Sequence, residues 1–216
     1  IKHGEGMIVL PTGERYTGTF ANNLRYGKGS ATYADGSTYE GGWLADRHHG
    51  QGTHVAMSGT KYVGQWAGGF KSGAGHVVFC NGSKYLGQWD RDCFHGEGTL
   101  YYPDGTDAPA ADAETNKPYK YTGHWAANKR HGQGTLLMHP YKEGSQPFKA
   151  DPVVISGDWD NDKATGESLL IFADGREYNG DVYEGEACGD GEMSVPTKFG
   201  TGTLSDPVVD ATDVYT

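Results

Sequence analysis

Residues 39–105 read YEGGWLADRHHGQGTHVAMSG (39–59), KYVGQWAGGFKSGAGHVVFCNG (61–82) and KYLGQWDRDCFHGEGTLYYPDG (84–105). One pattern is written three times. Each copy has a tyrosine at or next to its start, with a glycine two residues on, a tryptophan four on and a Gly-x-Gly pair that starts eleven residues after the tyrosine. The period is 23 residues, marked by Tyr16, Tyr39, Tyr62 and Tyr85. A fixed period of this length is the signature of a repeat architecture, so the unit is read before any domain.

Working outward, the register holds over most of the chain. Tyr16, Tyr39, Tyr62, Tyr85, Tyr121, Ile155 and Tyr178 open seven units, each with a glycine at both offsets. The third ring position holds Phe20, Trp43, Trp66, Trp89, Trp125 and Trp159 and decays to Val182, so all five tryptophans occupy one position of the repeat. Period-two spacing puts tyrosine, glycine and tryptophan on one face of a strand. Asp35-Gly36, Asn81-Gly82, Asp104-Gly105 and Asp174-Gly175 stand between apolar runs and read as two-residue hairpin turns. With such loops Tyr16 faces Val9, Tyr39 faces Thr32, Tyr62 faces Val55, Tyr85 faces Val78 and Tyr178 faces Ile171, a ring against a β-branched residue each time but once more polar than the rest. No helical period intervenes. The expected fold is all-β: an elongated, twisted, single-layer antiparallel meander of about eight units, two strands per unit, some 75 to 80 Å long at about 4.8 Å per strand.

Composition agrees with this. Apolar residues make up 36 % of the 216 and glycines number 35, which argues against a large round core and for a glycine-dependent β architecture. Eighteen Lys and Arg against 28 Asp and Glu give a net charge of −10, a field that repels nucleic acid. Cys80, Cys93 and Cys188 are an odd number without framework spacing, and read as free thiols in a reducing compartment.

The combined Tyr-x-Gly-x-Trp, His-Gly-x-Gly and Asp-Gly elements resemble MORN repeats, the membrane occupation and recognition nexus family. The resemblance covers residues 1–192 and implies a scaffold or partner-binding arm in cytoskeletal, flagellar or membrane-contact assemblies. Some relatives carry a catalytic domain on the same chain, and none of these residues forms one. The stretch His3-Gly4-Glu5-Gly6 is the second half of a unit, so the chain reads as a piece of a longer array. Segments 106–119 and 141–151 break the period as insertions at hairpin turns on one edge of the ribbon, and residues 193–216 form a degenerate final unit or cap and tail.

Catalytic chemistry is not expected. His3, His49, His95 and His131 share a repeat position that elsewhere holds Tyr26, Ser72, Thr165 and Cys188, which no catalytic base tolerates. His48-His49 and Cys93 with His95 read as ordinary loop residues, and the Asp90–Asp92 and Asp158–Asp162 carboxylates as turn chemistry. No enzyme activity, metal or cofactor is assigned. The partner-binding candidates are the ring rows Tyr39, Trp43, Tyr62, Trp66, Tyr85, Trp89, Tyr121, Trp125 and Trp159, which would seat a helix or an extended peptide. Arg25, Arg47, Lys71, Lys129, Arg130 and Lys163 line one edge, but aspartates share it, so lipid binding is weak or absent.

The function expected is therefore a cytoplasmic, cytoskeleton-associated scaffold that binds protein partners and self-associates, as a dimer, through unpaired strand edges. A phospholipid-contact module and an accessory arm of a larger enzyme are the alternatives.

Overall fold

The structure is a computed structural model, described here for residues 1–103, 118–139 and 152–195. Fifteen strands form one antiparallel sheet in strict chain order, so every strand pairs with its sequence neighbours. They are β1 (Gly4–Val9), β2 (Arg15–Ala21), β3 (Leu24–Thr32), β4 (Thr38–Leu44), β5 (Arg47–Val55), β6 (Lys61–Ala67), β7 (Phe70–Val78) and β8 (Lys84–Asp90). Then follow β9 (Cys93–Tyr101), β10 (Pro118–Ala126), β11 (Lys129–Met138), β12 (Pro152–Asp160), β13 (Lys163–Phe172), β14 (Glu177–Tyr183) and β15 (Glu186–Ser194). The all-β meander read from the period is what the chain forms.

The pairing register differs from the expected one by one residue. Tyr16 faces Ile8, Tyr39 faces Ala31, Tyr62 faces His54, Tyr85 faces Val77 and Tyr178 faces Leu170. Val9, Thr32, Val55, Val78 and Ile171 pair instead with Arg15, Thr38, Lys61, Lys84 and Glu177 on the opposite face. The cause is loop length. Tyr33 N–H donates to Ser37 O and Gly36 N–H to Tyr33 O, which closes a three-residue loop, Ala34-Asp35-Gly36, with only the glycine at positive φ, +84°. The loops ending at Gly82 and Gly175 are built the same way. This is the type I turn with a left-handed glycine, not the two-residue turn. Because side chains alternate, the extra loop residue exchanges the faces of everything opposite the tyrosine. Asp35 also accepts from the Ser37 N–H and hydroxyl. Asp104-Gly105 lies outside the described residues.

Two-residue turns with both residues at positive φ do occur, on the other edge. They are Asn22-Asn23, Ala45-Asp46, Gly68-Gly69, Arg91-Asp92, Ala127-Asn128, Asn161-Asp162 and Glu184-Gly185. Each unit is thus closed by one turn type on each edge. Pro118 and Tyr119, read as the end of an insertion, belong to β10. The remaining insertion residues 106–117 and 141–151 lie outside the described residues, as do 196–216. Both insertions connect strand pairs, β9 to β10 and β11 to β12, across the edge that carries the three-residue loops.

Candidate functional site

The ring-bearing face is built from three rows that cross the strands. The floor is the tyrosine and tryptophan row. Tyr39, Trp43, Tyr62, Trp66, Tyr85, Trp89, Tyr121, Trp125 and Trp159 are all buried, from 0 % exposed at Tyr85 and Tyr121 to 6 % at Trp66. Each tyrosine meets the tryptophan of its own unit and that of the next edge to face: Tyr62 lies 5.2 Å from Trp66 and 5.1 Å from Trp89 between ring centroids. Such edge-to-face pairs add about 0.5–1.5 kcal/mol each beyond burial.

The polar atoms of these rings are satisfied within the array. Tyr39, Tyr62, Tyr85, Tyr121 and Tyr178 hydroxyls donate to the carbonyl three residues on. Trp43, Trp66, Trp89, Trp125 and Trp159 indole N–H groups donate to Gly29, Gly52, Gly75, Gly98 and Gly134 carbonyls of the preceding strand. Burial raises the Tyr39, Tyr62, Tyr85 and Tyr121 phenols well above their ordinary value, so they stay neutral.

Two glycine positions make the floor possible. The first glycine of each Gly-x-Gly sits at a bulge in left-handed geometry, as Gly50 does at φ +67°. The second pairs across the strands with the glycine of Tyr-x-Gly, as Gly64 does with Gly75, and the tyrosine lies flat on the pair. A Cβ on Gly64 would stand 2.5 Å from Gly75 Cα and from Tyr62 Oη. One unit departs: Ile155 replaces the tyrosine, and Ser168 replaces the second glycine opposite Gly157. The serine occupies room that the absent ring leaves.

Over the floor lies a second row, five residues after each ring of the tryptophan position. It consists of Arg25, His48, Lys71, Phe94, Arg130 and Ala164. His48 stacks on Tyr39 at 3.6 Å and Phe94 on Tyr85 at 3.7 Å. Arg25 lies 4.1 Å from the Trp43 centroid, Lys71 5.2 Å from Trp89 and Arg130 4.4 Å from Trp159. Sequence reasoning placed three of these in an edge row of cations and missed that a histidine and a phenylalanine complete it. The constant five-residue step from the tryptophan was the available signal. His48, His49, Cys93 and His95, read as loop residues, lie in β5 and β9.

The three cations of this row are paired by the next hairpin. Arg25 bonds Asp46 at 3.0 Å, Arg130 bonds Asp162 at 3.2 Å, and Lys71 lies 3.9 Å from Asp92. The same carboxylates accept the backbone N–H of Arg25, Arg130 and Lys71, while Asn23 and Asn128 accept those of Lys2 and Phe94. Except where it is Gly69 or Gly185, the second turn residue thereby clamps a unit to the one before. Asp46→Ala is expected to cost about 1 kcal/mol of stability and Asp46→Asn less, because the amide keeps an acceptor; thermal melting of both variants checks the order.

A third row, Leu10, Tyr33, Ala56, Phe79, Tyr102, His139 and Phe172, borders the floor along the edge that carries the three-residue loops. The Tyr33 hydroxyl is 2.6 Å from His48 Nε2. Where small residues stand beside larger ones, a cleft of about 260 Å³ opens, lined by Ile8, Leu10, Tyr16, Arg25 and Tyr33. Among the described residues no three His, Cys, Asp or Glu side chains gather as a metal site requires. The three cysteines are free thiols.

Comparison with known proteins closes the description. No curated protein matches the chain. Two solved structures align with most of it at 13 % identity each. One is the SAS-4 (dCPAP) TCP domain in complex with a proline rich motif of Ana2 (dSTIL) from Drosophila melanogaster, covering 89 % of this chain and 85 % of that one at a TM-score of 0.34. The other is the TCP10 domain of Danio rerio CPAP in complex with a peptide of Danio rerio STIL, covering 83 % and 84 % at 0.35. At these scores the chain paths diverge, and nothing about this chain follows from either. Residues 16–38, 39–61, 62–84, 85–107 and 121–137 each match the MORN repeat. With half of its residues inside five such matches, in the register that the ring and glycine rows require, the chain belongs to the MORN repeat family.

Proposed function

We propose that the chain is a non-catalytic scaffold whose ring-bearing face docks protein partners. The observation that carries this reading is the layered build of that face. The nine floor rings are sealed beneath the array's own second row, so a partner meets them through the half-buried Tyr33, Phe79, Phe94 and Tyr102 and through the cleft beside Leu10. A rigid aromatic floor with half-exposed rings along one face suits a helix or an extended peptide, because the rings are held before the partner arrives. The aspartates that neutralise Arg25, Lys71 and Arg130 leave this face little pull on anionic lipid. A cytoskeletal, flagellar or membrane-associated assembly in the cytoplasm is the proposed setting. Self-association as a dimer and the division into an array of residues 1–192 with a C-terminal cap belong to the same proposal.

Affinity capture from the native cell tests the reading, with Tyr33→Ala/Phe79→Ala as the comparison. Partners recovered by the wild-type chain are expected to fall away with the variant while it stays folded, at a melting temperature lowered by the lost Tyr33–His48 bond and Phe79–Phe94 contact. Equal recovery by both would remove the ring-bearing face from the function. Light scattering across a concentration series tests the dimer, and a strict monomer at high concentration would end that part of the proposal.

A further inference from the structure

The opposite face carries a charge pattern that the ring-bearing face does not explain. Alternation puts the residue just before each tyrosine on the far side of the sheet. There the ladder runs Lys61 to Val78, Val78 to Lys84, Lys84 to Tyr101 and Tyr101 to Lys120, without a break across β6 to β10. Arg15 stands on the same row in β2. Lys61 and Lys84 are exposed, and Lys120 lies 5.4 Å from the Tyr101 ring.

None of these cations forms a salt bridge with a described carboxylate. In a chain of net charge −10 this row stands out by carrying cations alone. On the ring-bearing face Arg25, Lys71 and Arg130 each have an aspartate supplied by the next hairpin. Between β6 and β10 the far-side row holds no acidic residue at all. Cations two strands apart are separated by about 9.6 Å, with an apolar or aromatic residue midway.

We propose that this stripe docks an extended acidic segment of a partner protein, with a carboxylate at every third residue and apolar residues between. Three residues of extended chain span about 9–10 Å, which matches the step from Lys61 to Lys84 and from Lys84 to Lys120. The intervening apolar side chains then fall on Val78 and Tyr101. An extended segment can follow the turn of a twisted sheet, whereas a straight helix leaves it after a few strands. This site lies across the sheet from the docking face proposed above and stands or falls separately.

The test uses the full chain and a fluorescein-labelled peptide that repeats Glu-Val-Pro, read by fluorescence anisotropy at low and physiological salt. The expected result is binding that weakens with salt, and that weakens about tenfold for Lys61→Glu/Lys84→Glu and severalfold for Lys84→Gln. Tyr33→Ala/Phe79→Ala leaves it unchanged. A peptide of the same composition with its glutamates in one block is expected to bind several times more weakly. Equal binding of the two peptides, no effect of the lysine substitutions in a chain that melts normally, or no binding of either peptide would each overturn the proposal. So would sedimentation of the chain with phosphatidylserine vesicles without peptide binding, which would assign the stripe to a membrane.

Discussion

Gly75→Ser is expected to destabilise the array by about 2–4 kcal/mol, and to cost far less when Tyr62→Ile is made with it. A Cβ on Gly75 would stand 2.7 Å from Tyr62 Cζ, and the ring has no free direction to move in, held as it is between Trp66 and Trp89. Tyr62→Ile alone removes those ring pairs and the hydroxyl bond to Gln65 O and opens a cavity, costing about 2–4 kcal/mol. The pair reproduces what the chain already does once, where Ile155 and Ser168 occupy these two positions of the repeat. Serine then fills the space that isoleucine leaves. Chemical denaturation of the wild type, both single variants and the double variant is expected to give a coupling of about 1–3 kcal/mol in favour of the double. Additive costs would show that the ring and the glycine are not matched to one another.

Acid is expected to weaken the array at His48. Burial of its ring, with His54 and Arg25 adding repulsion, pushes the imidazole down to about 4 from the ordinary 6.5. Between those values the unfolded chain binds the proton and the folded chain does not, so stability rises with pH through this window and is lost as pH falls from 6.5 toward 4. At about 1.4 kcal/mol per pKa unit, reduced because the ring is part exposed and screened, the loss is on the order of 2 kcal/mol. His54, also lowered chiefly by burial, adds in the same direction.

The sequence around His48 explains its isolation. Arg25, Lys71 and Arg130 each find an aspartate in the following turn, but the turn after His48 is Gly68-Gly69, and a charged imidazole there gains no counterion. Tyr33→Phe/His48→Phe copies the Phe79 and Phe94 pair found two units on. It is expected to flatten the melting temperature between pH 4 and pH 6.5 relative to the wild type. An unchanged slope would place the acid sensitivity elsewhere.

Much of this was legible from residue positions. The rings, the paired glycines and the strict strand order follow from a period of 23 and from the alternation of side chains. Register was not, because Asp-Gly serves both a two-residue turn and a three-residue loop, and the two differ by one residue of pairing. The far-side partners Val9, Val55 and Val78 are as β-branched as a ring's partner ought to be, so residue type could not arbitrate. Exposure does: Val9 is 52 % exposed and Val78 38 %, while Val77, the true partner of Tyr85, is 1 % exposed. The nine ring residues lie on one face, as their spacing implied, but the row that covers them was not read from the sequence. Side chains five residues past each tryptophan position lie over the rings.

The clamp between units has a mechanical consequence. A ribbon pulled end to end carries its load on the bonds between strands. At Asn23, Asp46, Asp92, Asn128 and Asp162 the joint has a backbone bond and a side-chain bond in parallel. At the Glu184-Gly185 turn the Lys163–Glu184 ion pair stands beside the backbone bond to Ala164, whereas at Gly69 only the backbone bond to His48 remains. Among the described residues the array is therefore a spring with one soft joint, and under tension or slow unfolding it yields first at Gly68-Gly69.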